Sequence, residues 1–263
     1  MVTDIQRLKE LQERLRSMGV TSAAFEARQM FASAQNEAQL EDWVTRRQKG
    51  EPLQYLLGEW EFWGLPFEVG EGVLIPQPDT EILVEQALAS VKGIDAPRIL
   101  DLCAGSGCVG IALAHELPDA AVTAVELYDK AFGYLERNIR LNSVSVTAVK
   151  ADVLSNPPEV LKGEWDLIVS NPPYISPDER EQLSAEVLFE PEQALFAEEN
   201  GLKFYRAIAE HWLPLLKEGG TLAVEIGYRQ AEAVRGIFAP YETKVQADYG
   251  GNDRVITLVK KSI

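Results

Sequence analysis

The sequence predicts an α/β fold, a mainly parallel sheet covered by helices on both faces, preceded by a small helical unit. Three observations carry this. Short apolar runs alternate with helical periodicities from residue 79 onward, the first fifty or so residues show helical spacing alone, and an aromatic stretch broken by glycine and proline separates the two regions.

From Thr3 to about Lys49 the apolar residues recur at helical spacing: Ile5, Leu8, Leu11 and Leu15, then Phe25, Met30 and Phe31, then Leu40, Trp43 and Val44. Gly19 and Gly50 punctuate these runs, so a few short helices packed together are expected, with the leucines and aromatics as their core. The stretch PLQYLLGEWEFWGLPFEVGEGVLIP reads as a small hairpin linking two domains and puts a boundary near residue 75, dividing the chain into 1–75 and 76–263. After Pro78 a helix (DTEILVEQALASVK) precedes a strand (RILDLC), a glycine turn, a helix (VGIALAHEL), a strand (AVTAVE), a helix (DKAFGYLERNIRLN) and two more strands (SVTAVKADV, WDLIVS). A helix around 201–216 leads to the strand TLAVEIG. The end, KVQADYGGNDRVITLVKK, reads as two strands that add an antiparallel member to the sheet.

With 263 residues, 46% of them hydrophobic, the chain can bury a sizeable core. No run approaches the ~20 apolar residues of a membrane span, and the amino terminus, MVTDIQRLKE, is charged where a secretion signal is apolar. A cytoplasmic protein without a membrane partner is expected. Cys103 and Cys108 are the only cysteines, with no second pair or nearby histidine to complete a zinc site, so buried thiols and no metal are expected. The net charge of −16 is shared, with 8 basic and 12 acidic residues in 1–75 and 17 and 29 in the rest. A field of this sign repels nucleic-acid phosphates and points to protein or small-molecule partners.

In ILDLCAGSGCVGIAL the first strand ends at Asp101–Cys103 and a helix begins near Cys108, which leaves Gly105, Ser106 and Gly107 in the turn. Glycines there let backbone approach a ligand, and the amides of the helix start face it. The next strand ends in Glu126, where open α/β sheets place the carboxylate that receives ribose hydroxyls. The third ends at Asp152, either a turn-forming aspartate or an acceptor for an adenine amino group with Val153 beside the ring. Acids at the ends of three successive strands disfavour a phosphate-rich dinucleotide and suit the cationic cofactor S-adenosylmethionine.

The chain spells Ser-Asn-Pro-Pro twice, SNPPE from Ser155 and SNPPY from Ser170. The second follows the apolar strand WDLIVS, so Asn171 falls at a carboxyl end, facing the Gly105 turn if the strand order reverses between the first and fourth strands. The first, with charged Glu159, reads as a surface turn. An amide or aromatic amine nitrogen is a poor nucleophile that must be oriented more than deprotonated. The Asn171 side-chain oxygen and the Pro172 carbonyl can each accept one N–H, proline stiffens the turn, and Tyr174 can cover a planar group and exclude water. His115 and His211, both in predicted helices, are read as structural.

LIPQPDTEILVEQAL, ILDLCAGSG, SNPPYI, EVLFEPEQALF and GGTLAVEIGYRQ, taken in order, resemble the release-factor glutamine methyltransferases over nearly the whole chain. The resemblance implies a Rossmann-like class I S-adenosylmethionine-dependent methyltransferase domain, with a mainly parallel seven-stranded sheet closed by an antiparallel hairpin, and a helical amino-terminal domain that helps hold the substrate. It implies methylation of the glutamine in the Gly-Gly-Gln motif of class 1 peptide chain release factors. Implied cofactor contacts are Cys103, Ala104, Gly105, Ser106 and Gly107, then Glu126, Asp152, Val153 and Asn171. Asn171, Pro172, Pro173 and Tyr174 would hold the glutamine amide, with Asn171, Pro172 and Tyr174 acting in transfer. Two residues depart from the family: Cys103, where glycine is frequent, is acceptable if it still belongs to the strand, and Gln77, where arginine is usual, leaves the pairing of Asp79 or Glu81 open. An adenine-amino nucleic-acid methyltransferase shares SNPPY and is the alternative, together with a glutamine methyltransferase acting on a ribosomal protein. The charge disfavours the former, and PDTE at 78–81 resembles the release-factor branch more.

Overall fold

Helix α1 (Asp4–Ser17) begins the structure, a computed structural model that describes residues 4–261. Val2 and Thr3, from which the sequence pattern starts this helix, lie outside the described residues. Helices α2 (Ala23–Ser33) and α3 (Glu37–Gln48) follow, the latter capped by Asn36, whose side chain accepts the Gln39 N–H. A fourth short helix, α4 (Leu53–Leu57), completes the unit. Leu11, Leu15, Met30, Leu40, Trp43 and Val44 form its core as expected, whereas Ile5 and Phe25 of the same periodic pattern are exposed. Arg47 is buried within the unit. Its guanidinium pairs with Glu26 at 2.7 Å and reaches out to Glu186, in a loop of the larger unit, at 3.1 Å.

Gly58 ends α4 in the left-handed conformation and starts an antiparallel hairpin, β1 (Glu59–Phe62) with β2 (Leu65–Glu68). Its Phe62 and Phe67 do not join the amino-terminal core. They pack with α5 (Glu81–Ser90) and α6 (Cys108–Glu116) beneath the main sheet.

That sheet comprises β3 (Arg98–Leu102), β4 (Ala121–Glu126), β5 (Val146–Lys150), β6 (Trp165–Ser170), β7 (Leu216–Glu225), β8 (Thr243–Ala247) and β9 (Asp253–Val259). Its order is β5-β4-β3-β6-β7-β9-β8, and β9 runs antiparallel to the other six. The order reverses between β4 and β6 on either side of β3, the switch anticipated from sequence. Side chains alternate: Ile99 faces the core with α5 and α6, and Leu100 and Leu102 face Tyr205, Trp212 and Phe238 on the other side. Every residue of β6 is buried, which explains its largely apolar sequence, and its Asp166 is satisfied by Lys217 and the Arg98 N–H. Helix α7 (Asp129–Leu141) covers the β4–β5 edge.

The segment expected to be one helix over 201–216 is broken. After two short turns, α8 (Glu192–Leu195) and α9 (Glu198–Gly201), the chain runs through α10 (Lys203–Ala207), a wide π turn (Ile208–Trp212) and a 3-10 turn (Leu213–Leu215). Pro214 cannot donate to a helical ladder, and the π turn carries Trp212 to where its indole N–H donates to the Val153 carbonyl at 2.8 Å. Helix α11 (Ala231–Ile237) completes this face. Strand β5 stops at Lys150, two residues before Asp152, because the Asp152 carboxylate accepts the Leu154 N–H and turns the chain.

Asn138 of α7, fully buried, ties the hairpin to the glycine turn: Oδ1 accepts the Glu68 N–H at 2.7 Å, and Nδ2 donates to the Glu68 carbonyl at 3.1 Å and the Ser106 carbonyl at 2.9 Å. Asn138→Ala strands these backbone groups and should cost about 2 kcal/mol. The check is a lower urea midpoint with an unchanged m-value.

Candidate active site

Two clefts meet at Asn171, beyond the carboxyl ends of β3 and β6 where the strand order reverses. The first, about 190 Å³, contains Cys103, Ala104, Gly105, Ser106, Glu126, Asp152 and Val153 among its walls and reaches Asn171 and Pro173. The second, about 260 Å³, holds Asn171, Pro172 and Tyr174. Eleven of the twelve residues singled out from sequence thus line one cleft or both. Gly107 does not: its φ of +85° turns the chain into α6, and a Cβ there would lie 2.5 Å from Leu135. It shapes the turn from behind.

The turn is held from β4. Glu126 Oε2 accepts the Gly105 N–H at 2.9 Å, and Oε1 accepts the N–H groups of Leu127 and Tyr128, each at 2.8 Å. A carboxylate offers about four acceptor sites, so one ribose hydroxyl can be taken without displacing a backbone donor. Asp101 lies buried in β3, accepting the Gly110 N–H at 2.9 Å, and burial with Glu126 nearby pushes its pKa up to about 7. Burial thus favours the neutral form of Asp101, a weaker charge at the strand ends than three acids suggest. Cys103 is not part of the strand. It has a φ of +58°, a left-handed conformation that favours glycine, so the condition that made this departure acceptable is not met. Its thiol is pushed well up by burial and by Glu126, and that of Cys108 up to about 12 by burial and Asp101.

At the second cleft the Asn171 Nδ2 donates to the Thr80 hydroxyl at 3.1 Å, which leaves Oδ1 as the acceptor for a ligand N–H. Among the described residues no donor takes the Pro172 carbonyl. Tyr174 donates to Glu225 Oε1 at 3.3 Å, and burial beside that carboxylate raises its phenol. The Tyr174 carbonyl is clasped by Gln230 Nε2 at 2.9 Å, whose Oε1 accepts the Gly227 N–H. Gly201, with a φ of +80°, packs against the same carbonyl so closely that a Cβ would lie 2.0 Å from it. Gln77 folds back, Nε2 donating to the Ile75 carbonyl at 3.0 Å. Asp79 instead pairs with Arg254 at 3.1 Å, and Glu81 accepts the Trp63 N–H. The pairing left open by the missing arginine is thus settled from β9 and from the hairpin.

Several residues of the site were not singled out from sequence. The strap Gly72–Gln77 closes the first cleft, Thr80 and Glu225 stand behind Asn171 and Tyr174, and Glu190 accepts the Ile75 N–H at 2.8 Å at the wall of the second. All fall in or beside the quoted stretches LIPQPDTEILVEQAL, EVLFEPEQALF and GGTLAVEIGYRQ. His115 and His211 line neither cleft, and Asn156 of the other copy is exposed.

This sheet order, with its antiparallel β9 and its cleft at the reversal, defines the class I fold of S-adenosylmethionine-dependent methyltransferases. A methyltransferase from Pyrococcus furiosus shares it with a TM-score of 0.57, 20% identity and coverage of 76% of this chain and 90% of that one. Residues 77–202 match the Methyltransferase small domain family and residues 30–58 the PrmC N-terminal domain. The release factor glutamine methyltransferase of Salmonella typhimurium is 42% identical over 223 residues, 83% of this chain and 79% of the relative. That of Fusobacterium nucleatum is 46% identical over 225 residues, 84% of this chain, a match that spans 63% of the relative's own length. The chain belongs to the release factor glutamine methyltransferase family, whose members are S-adenosylmethionine-dependent enzymes. No helix among the described residues is long and apolar enough to cross a membrane.

Glu190 and Glu225 are both raised to about 7, by burial first. A carboxyl whose folded pKa exceeds its unfolded value near 4.5 contributes stability that is complete below 4.5 and lost as pH rises through about 7. Glu225→Gln removes one such loss, so between pH 4.5 and 8 the variant should gain on the wild type by up to about 3 kcal/mol. Urea unfolding of both proteins across that range measures it.

Proposed function

We propose that this chain transfers a methyl group from S-adenosyl-L-methionine to the side-chain amide nitrogen of the glutamine in the Gly-Gly-Gln motif of class 1 peptide chain release factors, in the cytoplasm. The observation that carries the reading is Asn171: it stands between the two clefts with its NH2 turned to Thr80 and its oxygen available to an N–H. The names of the relatives supply the acceptor.

The first cleft suits the cofactor by its donor set. Backbone at Cys103–Ser106 and the start of α6 faces a carboxylate, Glu126 accepts a ribose hydroxyl, Asp152 accepts the adenine amino group, and Val153 lies along the ring. When bound, S-adenosylmethionine supplies a methyl group made electrophilic by its sulfonium. The chain's own task is orientation. Asn171 Oδ1 and the Pro172 carbonyl accept the two N–H groups of the glutamine amide, turning its nitrogen lone pair toward the first cleft. Pro173 fixes the backbone between them, and Tyr174 covers the amide plane and keeps water out. A base is not required, because the nitrogen becomes acidic once alkylated and can lose its proton to solvent.

Residues 1–75 help hold the release factor. Arg47 supports this by reaching Glu186, one residue before Val187 at the wall of the second cleft, so the helical unit and the substrate side of the site are joined. The charge of −16 speaks against a nucleic-acid substrate.

The test is transfer of radiolabelled methyl from S-adenosylmethionine to purified release factor, with a Gly-Gly-Ala variant, a ribosomal protein fraction, DNA and RNA as parallel acceptors. Label on the wild-type factor and not on the variant is expected. Label on nucleic acid or ribosomal protein alone overturns the reading. In the same assay Asn171→Ala should lose about 10²-fold or more of its turnover with cofactor affinity largely kept, while Asn156→Ala should match the wild type.

A further inference from the structure

Thr80 and Glu225 are 1% and 2% exposed, and both lie directly behind Asn171 and Tyr174. Thr80 Oγ1 accepts a hydrogen bond from Asn171, so its own hydrogen remains to be placed. Glu225 Oε2 is a buried oxygen that, among the described residues, has no hydrogen-bond partner. The two needs are complementary. Both side chains are buried against the same Asn-Pro-Pro-Tyr segment, Thr80 through Asn171 and Glu225 through Tyr174. The helix that follows Thr80 packs on the strand that ends at Glu225, and the Thr80 hydroxyl helps to hold down the carboxyl pKa that burial raises. Glu225 Oε1 meanwhile takes the Tyr174 hydroxyl. One carboxylate thus stands behind both ends of the Asn-Pro-Pro-Tyr segment.

We propose that Thr80 and Glu225 are positioning residues for methyl transfer, Glu225 setting the hydroxyl rotor of Thr80 and Thr80 in turn setting which face of the Asn171 amide meets the substrate. The inference rests on the proposed function and goes one step behind it.

An asparagine amide fits its site almost equally well in two orientations, differing in whether oxygen or NH2 faces a given neighbour. With NH2 toward the substrate, two donors would oppose the N–H groups of a glutamine amide and the nitrogen would not be held. A hydroxyl pointing its hydrogen at Asn171 would select that wrong orientation, because it calls for an acceptor. Glu225 draws the Thr80 hydrogen to itself and presents the Thr80 lone pair to Asn171, so NH2 is turned inward and oxygen outward. The Tyr174 hydroxyl, bound to the same carboxylate, keeps the ring in register with the amide.

Thr80→Val keeps the shape of the side chain and removes the acceptor, Thr80→Ser keeps the hydroxyl, and Glu225→Leu removes the carboxylate. Thr80→Val is expected to lower kcat about 30- to 100-fold with KM for S-adenosylmethionine and thermal midpoint close to wild type. Thr80→Ser should stay within about threefold of wild type. Because Glu225 reaches the Asn171 amide through Thr80, and its hold on Tyr174 is already lost in Glu225→Leu, the Thr80→Val/Glu225→Leu double variant should be no slower than the slower single variant. Wild-type turnover of Thr80→Val, a Thr80→Ser variant as slow as Thr80→Val, or losses that multiply in the double variant would overturn the proposal. The Thr80 pair decides the matter even if Glu225→Leu does not fold. Wild-type enzyme with release factor is run alongside: if it labels a different acceptor, the function reading fails, and the same ratios are read on that acceptor, so the two failures are told apart.

Discussion

The reversal of strand order at β3 is the constraint on which the site depends. Because β4 and β6 leave β3 in opposite directions, the connections after β3 and β6 diverge and leave a crevice above their carboxyl ends. Into it the chain delivers a glycine turn from β3, an acid from β4, a turn aspartate beyond β5 and an asparagine from β6. None of these residues touches another in sequence. Their convergence follows from parallel pairing, which puts all four strand ends on one edge, so a register slip in any strand would take its residue out of the site.

That geometry also explains what was legible. Asn171 could be assigned because a largely apolar strand ends at Ser170, and Asn156 dismissed because it lies beyond Asp152 in a loop-like stretch that carries charged Glu159. Glu126 could be placed because it ends the strand that follows the glycine turn. Thr80, Glu225 and Gln230 were not assigned a role, although the stretches that hold them were quoted, because their role lies in what they hold. Thr80 reads as an ordinary residue at the start of a helix, Glu225 as a polar end to a strand, and Gln230 as a surface residue. Only folding brings Gln230 to the Tyr174 carbonyl across 56 positions of chain. The broken helix after residue 201 was missed for a related reason, since its periodicity is helical and the π turn answers a tertiary demand, the Trp212 hydrogen bond to Val153.

Cys103 shows a cost accepted at the centre of the site. A left-handed conformation in a residue with a Cβ costs about 1–2 kcal/mol, and it persists here because its surroundings fix it: the next residue donates its N–H to Val125, and the Ser170 hydroxyl behind it bonds to the Leu102 carbonyl. The side chain gained by departing from glycine packs on the core of the face that holds Tyr205, Trp212 and Phe238. Strain at this point is shared with the strand ends that define the crevice, which keeps the turn from relaxing away from a ligand.

The amino-terminal unit bears on the same crevice through a buried cation and an aromatic side chain. Arg47 is held on one side by Glu26 at 2.7 Å and reaches Glu186 at 3.1 Å on the other, while Tyr55 of α4 packs edge-on against Phe189 and donates to the Val73 carbonyl. Val73 belongs to the strap that closes the first cleft, and Glu186 and Phe189 flank Val187 in the second. A buried arginine held by a buried carboxylate tolerates little displacement, because losing Glu26 leaves its charge uncompensated. The helical unit therefore braces one wall of each cleft. Anything that presses on those helices is transmitted to a wall of each cleft, which couples the amino-terminal unit mechanically to the candidate site.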